Sequence, residues 1–263
     1  MRKGTTEKDM IKYDHGLIIE ESDEVAEEYP LTIVLNDEEF ATMVCTPMHL
    51  EELVIGFLAS EGAIRTIADV DSISIDEERG FAYIKTNVTF EKVDTTKRWI
   101  GSCCGKSRAF YFQNDAKIAK TVMNEMKIEP ELCLTLMEAF QKEADMFKKT
   151  GGVHQAAIAS EQGVEIVFND IGRHNALDKL NGHLLKQRLS RKNKIIIFSG
   201  RISSEVLLKV SKMGIGFLLS KSAPTDLALK LAEDLNITAV GFVRGKRMNI
   251  YTHAKRLAIQ PKE

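Results

Sequence analysis

Lys194-Ile-Ile-Ile-Phe-Ser-Gly-Arg-Ile-Ser-Ser-Glu-Val-Leu-Leu-Lys-Val-Ser-Lys-Met-Gly-Ile-Gly-Phe-Leu-Leu-Ser220 is the stretch whose reading decides the fold. Residues 194–199 are an apolar run of strand length, and residues 203–213 repeat apolar side chains at helical spacing. A second apolar run follows at 215–220. Outward from there, a helix is predicted at 225–235 and a strand at 238–243. Upstream, strands are predicted at 154–159 and 164–169 and a helix at 174–189. Strand and helix alternating in this way imply an α/β fold, a sheet covered by helices.

The first part of the chain is richer in strands. Glu24-Val-Ala-Glu-Glu-Tyr-Pro30 leads into a strand at 31–35, Asn36-Asp37 makes a turn, and 40–44 forms the next strand. Pro47 precedes a helix at 49–61 with Leu50, Leu53, Val54, Phe57 and Leu58 on one face, and Gly62 stops it. Strands are expected at 72–75 and 81–89. Residues 114–149 read as mostly helical, most clearly from 134, until Thr150-Gly151-Gly152 ends them. Three regions are therefore expected: a strand-rich part over 1–112, a helical connector over 113–150, and an α/β part over 151–263.

Composition narrows the class. A chain of 263 residues with 44% hydrophobic and 28% charged residues fits an ordinary globular protein. A net charge of −2 argues against general nucleic-acid or membrane binding, with local basic clusters still open. Four cysteines, Cys45, Cys103, Cys104 and Cys133, are too few and too oddly spaced for a secreted disulfide framework. The first ten residues lack the apolar stretch of a signal peptide, and no segment has the length of a membrane span. The expected compartment is the cytoplasm.

Trp99-Ile-Gly-Ser-Cys-Cys-Gly-Lys-Ser107 carries the most distinctive chemistry. A thiolate is a strong nucleophile and its pKa falls beside cations, here Arg98, Lys106 and Arg108. Neighbouring Cα atoms lie about 3.8 Å apart, shorter than the roughly 4.4–6.8 Å of a usual disulfide, so Cys103 and Cys104 make a poor structural bridge. Two small residues in a loop is the bland alternative. A phosphate-binding loop fails on spacing, because Gly101 and the Gly105-Lys106 pair enclose three residues rather than four.

Polar clusters punctuate the second half at strand ends and helix starts, where ligands bind in α/β folds. They are Gly151-Gly-Val-His154, Asn169-Asp-Ile-Gly-Arg-His-Asn175, Ser199-Gly-Arg-Ile-Ser-Ser-Glu205 and Ser220-Lys-Ser-Ala-Pro-Thr225. Arg173 and His174 are candidate anion contacts at a helix start, and Arg201 is another. Asp178 and Lys179 read as locally paired helix charges, and Ser203 or Ser204 and Thr225 as helix caps. Gly241-Phe-Val-Arg-Gly-Lys-Arg247 makes a tight cationic turn between two short strands. Its guanidinium groups suit phosphate and Phe242 suits a planar ring, although a solvated basic hairpin has the same composition.

Taken in order, these segments resemble the formate dehydrogenase accessory protein family of FdhD/NarQ type, from about residue 24 to 257. Leu53-Val-Ile-Gly-Phe-Leu-Ala-Ser-Glu-Gly62, Gly172-Arg-His-Asn-Ala-Leu-Asp-Lys179 and Ser222-Ala-Pro-Thr225 carry the resemblance with the segments already quoted. It implies a mixed sheet flanked by helices, similar to cytidine deaminase, and a homodimer. It also implies a sulfurtransferase that takes sulfur from a cysteine desulfurase as a cysteine persulfide. The sulfur then passes to the bis-molybdopterin guanine dinucleotide cofactor of formate dehydrogenase, which binds as substrate; no structural metal is expected.

The resemblance assigns residues as well. The family's loop commonly reads C-G-x-C-G, whereas this chain has adjacent cysteines. Cys104 fills a family cysteine position in both ungapped frames and is the expected persulfide carrier, with Cys103 as partner or substitute. Phe242, Val243, Arg244, Gly245, Lys246 and Arg247 match the cofactor-binding segment, and Arg173, His174 and Arg201 are further candidates for that ligand. Two other readings stand beside this one. A chaperone could deliver the cofactor without handling sulfur. A zinc deaminase could use His49-Leu-Glu51, but the required P-C-x-x-C element is missing.

Overall fold

A computed structural model describes residues 3–88, 99–100, 121–123 and 126–258. Strands β1 (Thr5–Asp14) and β2 (Leu17–Ala26) form a separate antiparallel ribbon. Strands β3 (Tyr29–Leu35), β4 (Glu38–Cys45), β5 (Val70–Asp76), β6 (Phe81–Thr86) and β7 (Trp99–Ile100) make a sheet in the order β5-β6-β3-β4-β7. Asn36 and Asp37 both take positive φ, 50° and 70°, at the predicted turn between β3 and β4. Left-handed backbone at both central residues lets a two-residue hairpin follow the strand twist.

The second sheet holds β8 (His154–Ser160), β9 (Gly163–Asp170), β10 (Ile195–Phe198), β11 (Phe217–Ser220), β12 (Thr238–Arg244) and β13 (Arg247–Ile250). Their order is β13-β12-β11-β10-β8-β9. β10, β11 and β12 are parallel, whereas β8 runs antiparallel to β10 and β13 antiparallel to β12. The mixed α/β class expected from the alternation is therefore the class observed. β10 and β11 are buried along their whole lengths, which accounts for their unbroken apolar sequences.

Six helices cover these sheets among the described residues. They are α1 (Leu50–Ser60), α2 (Pro130–Lys142), α3 (Asp145–Thr150), α4 (Arg173–Lys186), α5 (Ser204–Met213) and α6 (Asp226–Asp234). Among the described residues the helical reading of 114–149 holds from Pro130, which occupies the first turn of α2 and needs no backbone donor there, while residues 114–120, 124 and 125 lie outside the described residues. Upstream of it, Val122 N donates to Leu235 O at 3.0 Å and Ile128 N to Arg256 O at 3.0 Å. Val122 and Ile128 thus bond to the C-terminal part rather than to a helix of their own.

Helices α1 and α4 cross at two glycines. A Cβ added at Gly56 would lie 1.8 Å from the carbonyl oxygen of Asp178, and one at Gly182 would lie 1.8 Å from that of Glu52. Backbone meets backbone there, which only glycine permits. The crossing brings the first sheet and its helix against the start of α4, and so sets one wall of the site.

Candidate functional site

The parallel strands β10, β11 and β12 end on one edge of the second sheet. Because β8 runs the other way, its first residue, His154, arrives at the same edge, paired with the last residue of β9, Asp170. Carboxyl ends of parallel strands next to a change of direction are where open α/β sheets bind ligands.

Serines lock the loops at this edge together. Ser220 Oγ donates to Gly200 O at 2.7 Å, and Ser222 Oγ donates to Ser199 O at 2.9 Å. Ile202 N donates to Ala223 O and Thr225 N to Ile202 O, both at 3.0 Å. Segments 199–205 and 220–225, separate in sequence, thus form one rigid rim. Ser203 caps α5, its Oγ accepting from Val206 N at 3.4 Å. Thr225 occupies the cap position of α6 but makes no side-chain capping bond.

The cationic turn adjoins this rim. Phe242 N donates to Ser222 O at 3.2 Å, and Arg244 Nε donates to Lys221 O at 2.9 Å. Phe242 has φ of +52°, within an irregularity of the β12–β13 pairing between Gly241 and Arg244. A bulky residue in the left-handed region is strained, and such strain clusters at functional sites. Here it leaves the ring half-buried, with the Arg244 guanidinium 5.7 Å from its centroid. Arg244, Gly245, Lys246 and Arg247 are exposed, as is Arg201 on the neighbouring loop, while Val243 is buried in the sheet.

The two candidates at the start of α4 diverge. Arg173 stays at the sheet edge, where its buried Nε has no hydrogen-bond partner. Burial, then the charge of Arg173, hold the His154 imidazole below its ordinary pKa, with Asp170 opposing them. His154 also lies beside Gly200, where an added Cβ would be in ordinary contact with His154 Nδ1 at 3.5 Å. His174 instead lies in close ion contact with Glu205, Nε2 to Oε2 2.8 Å. It lines a separate cavity of about 50 Å³ with Met43, Phe57, Asp178 and Lys209. The structure therefore sets Arg173 and Arg201 at the edge that carries the cationic turn, and His174 beside the first sheet.

Asp178 and Lys179 pair over longer distances than the sequence suggests. Asp178 Oδ1 accepts from Ser60 Oγ of α1 and from Lys209 Nζ of α5, each at 2.6 Å. Lys179 meets Asp170 at 2.7 Å with both side chains fully buried. Asp170 also accepts from Thr46 N at 3.1 Å, Gly172 N at 2.8 Å and Asn175 Nδ2 at 2.9 Å. This network ties the end of β4 to the start of α4.

Two of the four cysteines are accounted for. Cys45 and Cys133 are wholly buried, and burial raises both thiol pKa values, that of Cys133 to about 12. Such thiols are poor nucleophiles at neutral pH. Cys103 and Cys104 lie outside the described residues. The backbone leading to them does not: Ile100 pairs with Met43, which lines the His174 cavity. The H-x-E pair of the deaminase reading is engaged elsewhere. Glu51 pairs with Lys186, and the His49 ring packs edge-on against Phe168 at 4.8 Å. Among the described residues no group of three or more His, Cys, Asp and Glu is placed to hold a metal ion.

Fold and site together define a mixed α/β protein with a cationic, aromatic-edged rim at the carboxyl ends of its parallel strands. The FdhD/NarQ family model matches residues 26–258, and the chain belongs to that family. It is 56% identical over 250 residues to the sulfur carrier protein FdhD of Geobacillus kaustophilus, covering 94% of this chain and 95% of that one. Identity to the sulfur carrier protein FdhD of Bacillus subtilis is 52% over 257 residues, 97% and 98% of the two chains. A crystal structure from Desulfotalea psychrophila, described as a formate dehydrogenase accessory protein, shares the fold. It has a TM-score of 0.78 at 23% identity, covering 96% of this chain and 99% of that one.

Proposed function

We propose that this chain is a cytoplasmic sulfurtransferase. A cysteine desulfurase presents a persulfide, and a thiol of Cys104, or of Cys103 in its place, takes the terminal sulfur. In that exchange the chain's thiolate attacks the outer sulfur, the new S–S bond replaces the old one, and the desulfurase thiol leaves with the displaced proton. In delivery the S–S bond to the chain's cysteine breaks and the cysteine leaves as the thiolate. The outer sulfur bonds through an electron pair supplied by the bis-molybdopterin guanine dinucleotide cofactor, bound as substrate, which serves formate dehydrogenase. Two copies of the chain act together.

The observation that carries this reading is identity of 50% and more, over nearly the whole chain, to proteins named sulfur carriers. The geometry fits the substrate. A pyrophosphate needs cations, which Arg244, Lys246, Arg247 and Arg201 offer in the open, and Arg173 has an unsatisfied donor further along the same sheet edge. A guanine or pterin ring needs a flat apolar surface, which the half-buried Phe242 offers. The burial of Cys45 and Cys133 makes them poor carriers, which supports assigning the carrier thiol to one of the adjacent cysteines.

Intact mass spectrometry after incubation with a cysteine desulfurase and cysteine tests the proposal. A reducible gain of one sulfur, mapped to the peptide holding Cys103 and Cys104, is the expected result. No gain, together with tight binding of a guanine nucleotide, would favour a cofactor chaperone that handles no sulfur.

A further inference from the structure

The ribbon of β1 and β2 belongs to neither larger sheet, and all but its last residue precedes the segment matched by the family model. Its ladder extends one rung further, Glu27 N donating to Gly4 O at 2.9 Å, and its base is tied to α3, where Lys149 pairs with Glu24 at 3.2 Å. Its tip is uncovered: Ile11, Tyr13, Leu17 and Ile18 are 70, 75, 66 and 75% exposed. A two-stranded ribbon is marginally stable in water by itself, and stability comes with three or more strands sharing an apolar face. The register sets Tyr13 opposite Ile18, with Ile11 on the same face.

The two edges of the ribbon differ in charge. Every charged residue of β2 is an acid (Glu20, Glu21, Asp23 and Glu24), whereas β1 mixes Glu7, Asp9 and Asp14 with Lys8 and Lys12. We propose that the β1 edge pairs antiparallel with β1 of a second copy about a two-fold axis at Ile11, giving a four-stranded sheet. This deepens the two-copy assembly proposed above and is independent of the sulfur chemistry.

Charge and overlap together select the register, since pairings centred on Thr6 or Tyr13, which oppose no like charges, reach the end of β1 after one residue on either side. A two-fold axis normal to the sheet opposes residues on the same face, so each central residue meets its own copy. Centred on Ile11, the pairing sets Ile11 against Ile11, Lys8 against Asp14 and Asp9 against Tyr13. Centred on Met10 it would oppose Lys8 and Lys12; centred on Asp9 or Lys12 it would oppose like charges on the axis. Like charges directly opposed destabilise a sheet, and opposite ones stabilise it. A β2 edge centred on Ser22 would oppose Glu21 to Asp23 and Glu20 to Glu24. The Ile11 register also joins the apolar tips of both ribbons on one face.

Sedimentation velocity and cysteine cross-linking on the full chain test this, the latter with Cys103 and Cys104 changed to Ser. The wild type is expected at twice the 29.5 kDa chain mass. Asp14→Lys, which opposes two lysines, is expected to return it to one chain mass, and adding Lys8→Glu to restore the dimer. Directly opposed Cα atoms in antiparallel strands are about 4.5–5.5 Å apart, within disulfide range. Ile11→Cys should therefore cross-link on oxidation and Lys12→Cys should not. Lys8, Ile11, Lys12 and Asp14 are exposed, and circular dichroism verifies that each variant is folded. A monomeric wild type would overturn both this interface and the two-copy assembly. A dimer indifferent to Asp14→Lys, or one that Ile11→Cys fails to cross-link, would overturn this interface alone.

Discussion

Lys179 and Asp170 form an ion pair 2.7 Å long inside the protein, with neither side chain exposed to solvent. Lys179 Nζ also donates to Thr46 O at 3.2 Å and Asn169 O at 3.0 Å, so the ammonium is fully engaged. One charge pair thus joins the end of β4, the end of β9 and the first turns of α4.

Removing one member of this pair should cost far more than removing a surface charge. Lys179→Met strands the Asp170 carboxylate, and an uncompensated buried charge typically costs about 3–5 kcal/mol. An exposed pair such as Lys142 with Glu138 contributes little, because solvent and salt screen it. Urea unfolding of Lys179→Met and Lys142→Met should show that difference; equal midpoints would contradict it.

Cys104→Ala should abolish sulfur transfer and leave formate dehydrogenase inactive, whereas Cys133→Ala should leave loading intact. Cys133 packs in the core on α2, so its replacement acts on stability alone. Mass spectrometry of loaded variants separates the two. Full loading of the Cys104 variant would move the carrier to Cys103 or end the persulfide mechanism.

Arg244→Ala with Arg247→Ala should weaken binding of GDP, a fragment of the proposed substrate. Charge-assisted hydrogen bonds contribute about 1.5–3 kcal/mol each, so the loss should be about tenfold or more. Sulfur loading should survive, because acceptance does not need the cofactor, and delivery should fail. Calorimetric titration beside the loading assay reads both. Unchanged affinity would remove the turn from the site, and lost loading would make it the desulfurase dock.

Stability should fall in mild acid. His154 and His183 have pKa values lowered chiefly by burial, so the unfolded chain binds protons more readily than the folded one. Stability from each is fully present above the unfolded value, about 6.5, and is lost as pH falls from there through the lower folded value. Urea midpoints for the wild type should therefore drop between about pH 7 and pH 5. Gln at either position should flatten that slope, and an unchanged slope would exclude these two groups.

Much of the architecture was legible because its signals are local. Unbroken apolar runs mark β10 and β11, Pro130 and Gly62 bound helices, and Asn36-Asp37 fixes a turn; each acts through neighbours a few residues away. The ribbon of β1 and β2 was not legible, since it is exposed along nearly its whole length and no burial pattern alternates along it. In the site, the sequence picked out the cationic turn and the serine-rich segments. It could not show that Ser220 and Ser222 tie those segments together, or that Arg173 and His174 part company.

Chain-local chemistry by itself determined the α/β class, the run of helices and strands, and the residue types able to meet thiol and anion chemistry. Only the tertiary structure decided which of them meet. Asp170 and Thr46 are 124 positions apart, and their bond exists because Gly56 and Gly182 let two helices touch backbone to backbone. No short-range periodicity carries such a pairing. It follows from close packing and from the cost of leaving a buried charge or donor without a partner.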